Sequence, residues 1–76
     1  MMPIPSVSVN SSLLATIGYE ADTADLQLEF RDGTLYRYFG VPRAIYEGLL
    51  LATSQGVYFN RNIRGAFPYA LLNRVA

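Results

Sequence analysis

The sequence predicts an α+β fold, with a three-stranded antiparallel meander followed by two helices packed on one face of the sheet. In the first half of the chain, apolar and polar residues alternate between clusters of turn residues, which is typical of half-buried strands. In the second half, apolar residues recur at intervals of three and four, which indicates amphipathic helices. Two helices laid over one face of such a sheet bury the apolar residues of both halves.

Length and composition indicate a single compact domain covering residues 1–76. The chain has 76 residues, 51% of them hydrophobic, and a formal net charge of zero, which argues against a disordered tail. Residues 1–10 are rich in proline and serine, so we expect an extended, loosely held lead-in. Because this segment lacks the basic and apolar regions of a signal peptide, and no apolar run could span a bilayer, we expect a cytoplasmic protein without a membrane partner.

The three predicted strands cover residues 14–20, 26–30 and 34–39. A two-residue loop between the second and third strands would place Leu28 opposite Arg37, which puts an arginine on the apolar face. A three-residue loop with Gly33 in the left-handed conformation pairs Leu28 with Tyr36 instead. Since register follows the buried face, we expect the bulged hairpin, with both Tyr36 and Tyr38 on the apolar face and Arg37 on the open face.

The first predicted helix covers residues 42–52 and begins at Pro42, whose missing N–H costs nothing in the first turn. Its apolar stripe contains Ile45, Leu49 and Ala52. Leu50 and Leu51 lie off that stripe, so they are candidates for an exposed apolar interaction patch.

The second predicted helix covers residues 55–64, with Ser54 as N-cap and Gly65 as its left-handed terminator. On a helical wheel its packing side carries Phe59, Ile63 and Ala66, while its other side carries Asn60, Arg61 and Arg64. Residues 67–76 close the chain with further apolar residues available for packing.

Charge is unevenly distributed along the chain. Residues 1–40 contain five acidic and two basic residues, whereas residues 41–76 contain one acidic and four basic residues. Every basic residue is arginine, whose planar guanidinium suits phosphates and bases. Codon bias in a GC-rich genome is an alternative explanation for the use of arginine instead of lysine. The candidate nucleic-acid-binding residues are Arg61, Arg64, Asn60, Arg37, Tyr36, Tyr38, Arg43 and Arg74.

Catalysis and metal binding have little support in the sequence. The chain has no cysteine and no histidine, and Ser54 has no lysine or histidine to activate it. Asp22 and Asp25 are a close acidic pair, but two carboxylates do not make a metal site without further ligands. We therefore expect a non-enzymatic domain with no cofactor and no metal.

An ordered set of residues resembles the KTSC domain, a family named for the C-terminus of some lysyl-tRNA synthetases and also found as free-standing small bacterial proteins. The set begins with Phe30, Gly33 and the Tyr36–Tyr38 motif and continues with the residues Gly40, Val41, Pro42, Ser54, Gly56, Tyr58, Asn60, Ile63 and Arg64. The resemblance covers roughly residues 7–70. It implies a domain without an established activity, for which RNA binding has been suggested, and it does not imply aminoacylation. Gln55 departs from the family, in which lysine is common at this position.

Two functions therefore remain open. One is a small module that binds RNA or another nucleic acid through an arginine-bearing face. The alternative is a protein–protein interaction module or homodimer without nucleic-acid activity, which uses Leu50 and Leu51 or the exposed edge of the sheet. The two tyrosines also have two interpretations, since they are either core residues under the helices or a platform for bases.

Overall fold

The structure is a computed structural model and describes residues 4–73. A five-stranded antiparallel sheet has the strand order β1-β2-β3-β4-β5, and two helices connect the fourth strand to the fifth. The elements are β1 (Ser6–Ser8), β2 (Leu14–Glu20), β3 (Asp25–Phe30), β4 (Leu35–Tyr38), α1 (Arg43–Leu51), α2 (Gln55–Asn62) and β5 (Tyr69–Asn73). The α+β class is confirmed, but the prediction of three strands is wrong. Neither helix in residues 4–73 is long and apolar enough to cross a membrane.

The two additional strands lie at the two edges of the sheet. β1 falls within the predicted lead-in, where Val7 pairs with Ile17 of β2. β5 adds to β4 beyond the helices, with Tyr69 opposite Tyr38. Neither strand has a strong local pattern, because β1 has only three residues and β5 places two leucines in succession across an irregular register. Both strands depend on their neighbours for their extended conformation.

The β3–β4 hairpin has the predicted bulged geometry. The Phe30 amide donates to the Thr34 carbonyl at 2.9 Å, and the Gly33 amide donates to the Phe30 carbonyl at 2.9 Å. Gly33 has a φ of 90°, which a residue with a side chain rarely adopts. The resulting register places Leu28 opposite Tyr36, so the tyrosines of β4 share a face with the leucines of β3.

The hydrophobic core lies between the sheet and the two helices. Tyr38 of β4 contacts Phe59 of α2, with ring centroids 5.8 Å apart, which shows that the helices cover the tyrosine face. The buried cluster contains Leu14, Ile17, Leu26, Leu28, Tyr38, Val41, Leu49, Phe59 and Ile63. These residues come from the strands β2 to β4, from both helices and from the segments that adjoin them.

Helix α1 confirms part of the predicted pattern. Leu49 is fully buried, and Arg43 pairs with Glu47 at 3.3 Å on the exposed side. Leu50 packs against the core, whereas Leu51 is 85% exposed. The predicted patch of two leucines is therefore reduced to Leu51, because Leu50 turns toward the core.

Helix α2 begins as predicted, since the Ser54 hydroxyl accepts a hydrogen bond from the Val57 amide at 3.3 Å. The helix ends at Asn62, two residues earlier than predicted, and Gly65 follows with a φ of 76°. Phe59 and Ile63 are buried as predicted, but Ala66 is exposed because it lies in the turn beyond the helix.

The sheet's second face, on the side away from the helices, is covered in part by the N-terminal strap, which we define as residues 4 and 5, immediately before β1. Gln27 exchanges two hydrogen bonds of 3.4 Å with the backbone of Ile4. A Cβ atom at Gly18 would lie 2.9 Å from the Pro5 carbonyl oxygen, so the close approach of the strap requires glycine there.

Candidate functional site

A groove of about 400 Å³ lies between the end of α2 and strands β4 and β5, beside the β3–β4 turn. Such a volume is typical of small-ligand sites. We call it the tyrosine groove. Its aromatic lining consists of Phe30, Tyr36, Tyr38, Phe59 and Tyr69. Its polar lining includes Asp32, Thr34, Asn60 and Arg64.

Three tyrosines from neighbouring strands form much of the aromatic lining. Tyr36 and Tyr38 project from the same face of β4, and Tyr69 lies opposite Tyr38 on β5. The ring centroid of Tyr69 lies 5.4 Å from that of Tyr36 and 5.6 Å from that of Tyr38. Tyr38 is 5% exposed and belongs to the core, whereas Tyr69 is 61% exposed. The core interpretation is therefore confirmed for Tyr38, whereas Tyr36 is half-buried and its ring lines the groove.

The hydroxyl of Tyr38 stays neutral at physiological pH. Burial raises the pKa of Tyr38 to about 12, and the nearby Tyr36 and Tyr69 hydroxyls act in the same direction. The Arg64 guanidinium, which lines the same groove, acts on the pKa of Tyr38 in the opposite direction. A neutral phenol beside a guanidinium is a hydrogen-bond donor suited to an anionic ligand.

The cationic part of the groove is provided by Arg64. This residue follows α2, and its Nη1 donates to Oδ1 of Asn60 at 3.4 Å. Both side chains are exposed, and Arg64 takes part in no ion pair within residues 4–73. The guanidinium therefore retains donors that can bind a phosphate.

The anionic part of the groove is Asp32, in the turn between β3 and β4. Its Oδ1 accepts a hydrogen bond from the Thr34 amide at 2.9 Å. The Thr34 amide, followed by the Thr34 hydroxyl, lowers the pKa of Asp32 below its ordinary value. The carboxylate is therefore charged at neutral pH and held in one orientation by its turn.

The structure brings together four of the eight candidate nucleic-acid-binding residues, namely Tyr36, Tyr38, Asn60 and Arg64. Arg61 is exposed on α2 but does not line the groove. Arg43 is exposed on α1 and paired with Glu47. Arg74 lies outside the described residues.

The predicted open position of Arg37 is wrong. Arg37 does lie on the face opposite the tyrosines, directly across from Gln27, but it is only 7% exposed. Its Nε lies 3.1 Å from Oδ2 of Asp25, in an ion pair that is largely buried. This pairing also means that Asp25 is not the solvated turn residue that the sequence predicted.

Tyr69 and Asp32 are among the groove residues that were not predicted as binding candidates. Tyr69 lies in a segment predicted only to pack, and assigning β5 next to β4 would have revealed it. The turn around Asp32 was predicted correctly, but the proximity of this turn to Arg64 arises from tertiary packing. Within residues 4–73, no group of three His, Cys, Asp or Glu residues is arranged to hold a metal ion.

Curated relatives include proteins named lysine–tRNA ligase from Nostoc sp. and Nostoc punctiforme. The chain is 37% identical to that of Nostoc sp. over 73 residues and 34% identical to that of Nostoc punctiforme over 73 residues. Each alignment covers 96% of this chain but only 13% of the relative. The chain is also 42% identical over 55 residues to an uncharacterized protein from Stutzerimonas stutzeri, which covers 72% of this chain and 78% of that protein.

A solved structure has the same fold. The crystal structure of a KTSC domain protein from Yersinia pestis superposes with a TM-score of 0.89 at 31% sequence identity. The superposition covers 93% of this chain and 100% of that chain. The family model described as the KTSC domain matches residues 10–67, which include most of the tyrosine groove. The chain therefore belongs to the KTSC domain family.

Proposed function

We propose that this domain is a non-enzymatic module that binds single-stranded RNA in the tyrosine groove. The observation that carries the proposal is Arg64, a guanidinium without an ion-pair partner in residues 4–73, beside accessible tyrosine rings. Single-stranded RNA is recognised through bases that stack on aromatic side chains and through phosphates that bind cations.

The residues of the groove take distinct roles in this proposal. Tyr69 and Tyr36 provide rings on which a base stacks, and each stacked base contributes about 1–3 kcal/mol in single-strand binders. Arg64 binds a phosphate, supported by Asn60, which already accepts from its guanidinium. Arg61, outside the groove, adds only long-range attraction to the same strand. Arg37 has no contact with RNA, because it is paired with Asp25 under the other face of the sheet.

The relatives support RNA as the ligand class. The relatives from Nostoc sp. and Nostoc punctiforme are named lysine–tRNA ligases, and by that name they act on a tRNA. This chain corresponds to 13% of their length, so the ligase activity itself is not proposed here. A domain shared with such enzymes has an RNA available to it whenever the enzyme holds its tRNA.

Fluorescence anisotropy with labelled single-stranded RNA, single-stranded DNA and tRNA, at two salt concentrations, tests the proposal. Three variants each remove one exposed arginine, which makes them matched in charge: Arg64→Ala, Arg61→Ala and Arg43→Ala. We expect Arg64→Ala to weaken RNA binding by about tenfold or more and to reduce the salt slope by about 0.7, the contribution of one phosphate. Arg61→Ala should weaken binding less, and Arg43→Ala least.

Two outcomes of this titration would contradict the proposal. One is the absence of binding at low salt. The other is an equal loss of affinity in all three variants, which would indicate general charge attraction without a groove. Circular dichroism of each variant serves as a control for folding, and exposed arginines of this kind change stability by only about 0.5 kcal/mol.

The second candidate function is self-association or binding of a protein partner, and β5 favours it. β5 is an edge strand without a charged residue, and it exposes Tyr69, Leu71 and Leu72. Uncharged edge strands are available for pairing with another strand. Light scattering over a range of concentrations tests self-association, because a protein that stays monomeric throughout would exclude the homodimer.

A further inference from the structure

Phosphate binding does not explain Asp32, the carboxylate of the tyrosine groove. A carboxylate repels the phosphates of an RNA strand, yet Asp32 lines the same groove as Arg64. Within residues 4–73 no ion pair joins the two side chains. The groove therefore presents a cation and an anion that are not neutralised by each other.

The turn leaves Asp32 accessible while holding it in place. The Thr34 amide donates to Oδ1 at 2.9 Å, and the side chain is exposed at the tip of the hairpin. A carboxylate has two oxygens and about four lone-pair sites, so the hydrogen bonds from the Thr34 amide and hydroxyl leave further lone pairs of Asp32 available for a ligand. Asp32 is thus an oriented acceptor at the edge of an aromatic groove.

The aromatic lining continues to this turn. Phe30, two residues before Asp32, contacts Tyr36 with ring centroids 5.5 Å apart and Phe59 with ring centroids 5.3 Å apart. A base stacked on Tyr36 would therefore lie beside the hairpin turn, because Tyr36, Phe30 and Asp32 line the same groove. An acceptor located there can form hydrogen bonds with the edge of the base.

Among the four RNA bases, guanine is matched to a carboxylate. Its Watson–Crick edge presents two adjacent donors, N1–H and the N2 amino group. Adenine and cytosine present one amino group next to an acceptor nitrogen, and uracil presents one N–H between two carbonyls. A charged carboxylate accepts hydrogen bonds and donates none, so acceptors opposite it are repelled.

We propose that the tyrosine groove selects guanine in single-stranded RNA, with Asp32 accepting hydrogen bonds from N1–H and the N2 amino group. The inference rests on the proposed function. In this arrangement Arg64 binds a phosphate, the tyrosine rings stack the base and Asp32 determines which base is accepted.

Anisotropy with four labelled uridine decamers tests the inference. Each decamer carries one variable central base, which is guanine, inosine, adenine or uracil. We expect guanine to bind about tenfold more tightly than adenine or uracil, as one bidentate contact typically provides. Inosine keeps N1–H but lacks the N2 amino group, so it should bind with intermediate affinity. This comparison uses only the unmodified protein.

The variant Asp32→Asn removes the charge and keeps the turn, because asparagine also forms turns of this kind. We expect it to bind all four decamers with similar affinity, whereas Asp22→Asn, a matched change in another exposed turn, should keep the preference for guanine.

The outcomes separate the two proposals. Equal affinity of the unmodified protein for the four decamers, or an unchanged guanine preference in Asp32→Asn, would overturn guanine selection. If Arg64→Ala still weakened binding in that case, the proposed function would stand. Absence of binding to every decamer at low salt would overturn both.

Discussion

The two faces of the sheet use arginine in opposite ways. On the face away from the helices, Arg37 is 7% exposed and paired with Asp25 at 3.1 Å. On the helix side, Arg64 is exposed, reaches the tyrosine groove and takes part in no ion pair within residues 4–73. The motif Tyr36-Arg37-Tyr38 suggests that its own arginine accompanies its tyrosines. Because side chains alternate along β4, Arg37 instead lies on the face opposite the tyrosines. Arg64, from a distant segment, is the arginine that shares their groove.

The arginine nearest to an aromatic pair in sequence need not share its surface, since Arg37 lies on the face opposite Tyr36 and Tyr38. A buried cation costs free energy unless it is paired, and on the second face Asp25 is the carboxylate that pairs with Arg37. Because Arg37 is buried in this ion pair, the second face is unsuited to a phosphate. An exposed guanidinium carries no such requirement and remains available for a ligand. The second face thus contributes to stability, whereas the groove is the site proposed here for RNA.

The largest expected effect comes from breaking the ion pair of the second face. Asp25→Ala leaves Arg37 without this carboxylate, and removing one partner of a buried pair typically costs about 3–5 kcal/mol. For a small domain this is a large part of the free energy of unfolding. Urea denaturation followed by circular dichroism measures the loss.

Asp22→Ala is the matched control, since Asp22 is exposed in the same turn and should change stability by about 0.5 kcal/mol or less. The double variant Asp25→Leu, Arg37→Met replaces both charges with apolar groups and should recover most of the stability. If Asp25→Ala were as stable as Asp22→Ala, the structural role of Arg37 would be refuted.

A smaller effect is expected from lifting the N-terminal strap off the second face. The methyl group in Gly18→Ala would collide with the Pro5 carbonyl and with Ser6, and overpacking of this kind costs about 1–3 kcal/mol. Thermal unfolding measures the change.

The same substitution in the helix layer serves as the comparison for Gly18→Ala. A Cβ atom at Gly56 of α2 would meet its nearest neighbour, Leu13, at 3.4 Å. Gly56→Ala should therefore be neutral or stabilising by about 0.5–1 kcal/mol, because alanine is the better helix former. Equal destabilisation by the two variants would show that the strap does not approach Gly18 closely.

The smallest expected effect is a loss of stability at alkaline pH that is caused by Tyr38, a residue of the tyrosine groove. The pKa of Tyr38 is raised from its ordinary value of 10 to about 12, so folding favours the neutral phenol. Its contribution to stability is fully present below pH 10 and is lost as the pH rises from 10 to 12. Tyr38→Phe should reduce this pH dependence, as measured by urea denaturation at pH values across that interval. If the pH dependence of stability were unchanged in Tyr38→Phe, ionisation of Tyr38 would not be its cause.

Local chemistry was sufficient to predict much of the fold. The bulged hairpin followed from Gly33 and from the need to keep Leu28 opposite Tyr36, because both depend on residues close in sequence. The start of α2 at Ser54 followed in the same way from a side chain that caps its own helix. In these cases the deciding interactions lie within a few residues, so sequence patterns reveal them.

The groove was only half predictable. The sequence placed Tyr36 and Tyr38 together because alternate residues of a strand share a face. It placed Asn60 and Arg64 together because residues four apart share a helix face. It contained no local signal that these two pairs meet, or that Tyr69 joins them through a fifth strand.

Sequence patterns therefore suffice to predict the α+β class, the order and register of the central strands, the start of α2 and, to within one residue, the start of α1. Tertiary structure alone decided that β1 and β5 extend the sheet, that Arg37 is buried against Asp25 and that Arg64 shares a groove with Asp32. The physical reason is the distance along the chain between the residues that interact. Backbone periodicity and capping act between near neighbours, whereas the exposure of a charged side chain depends on distant segments that pack over it.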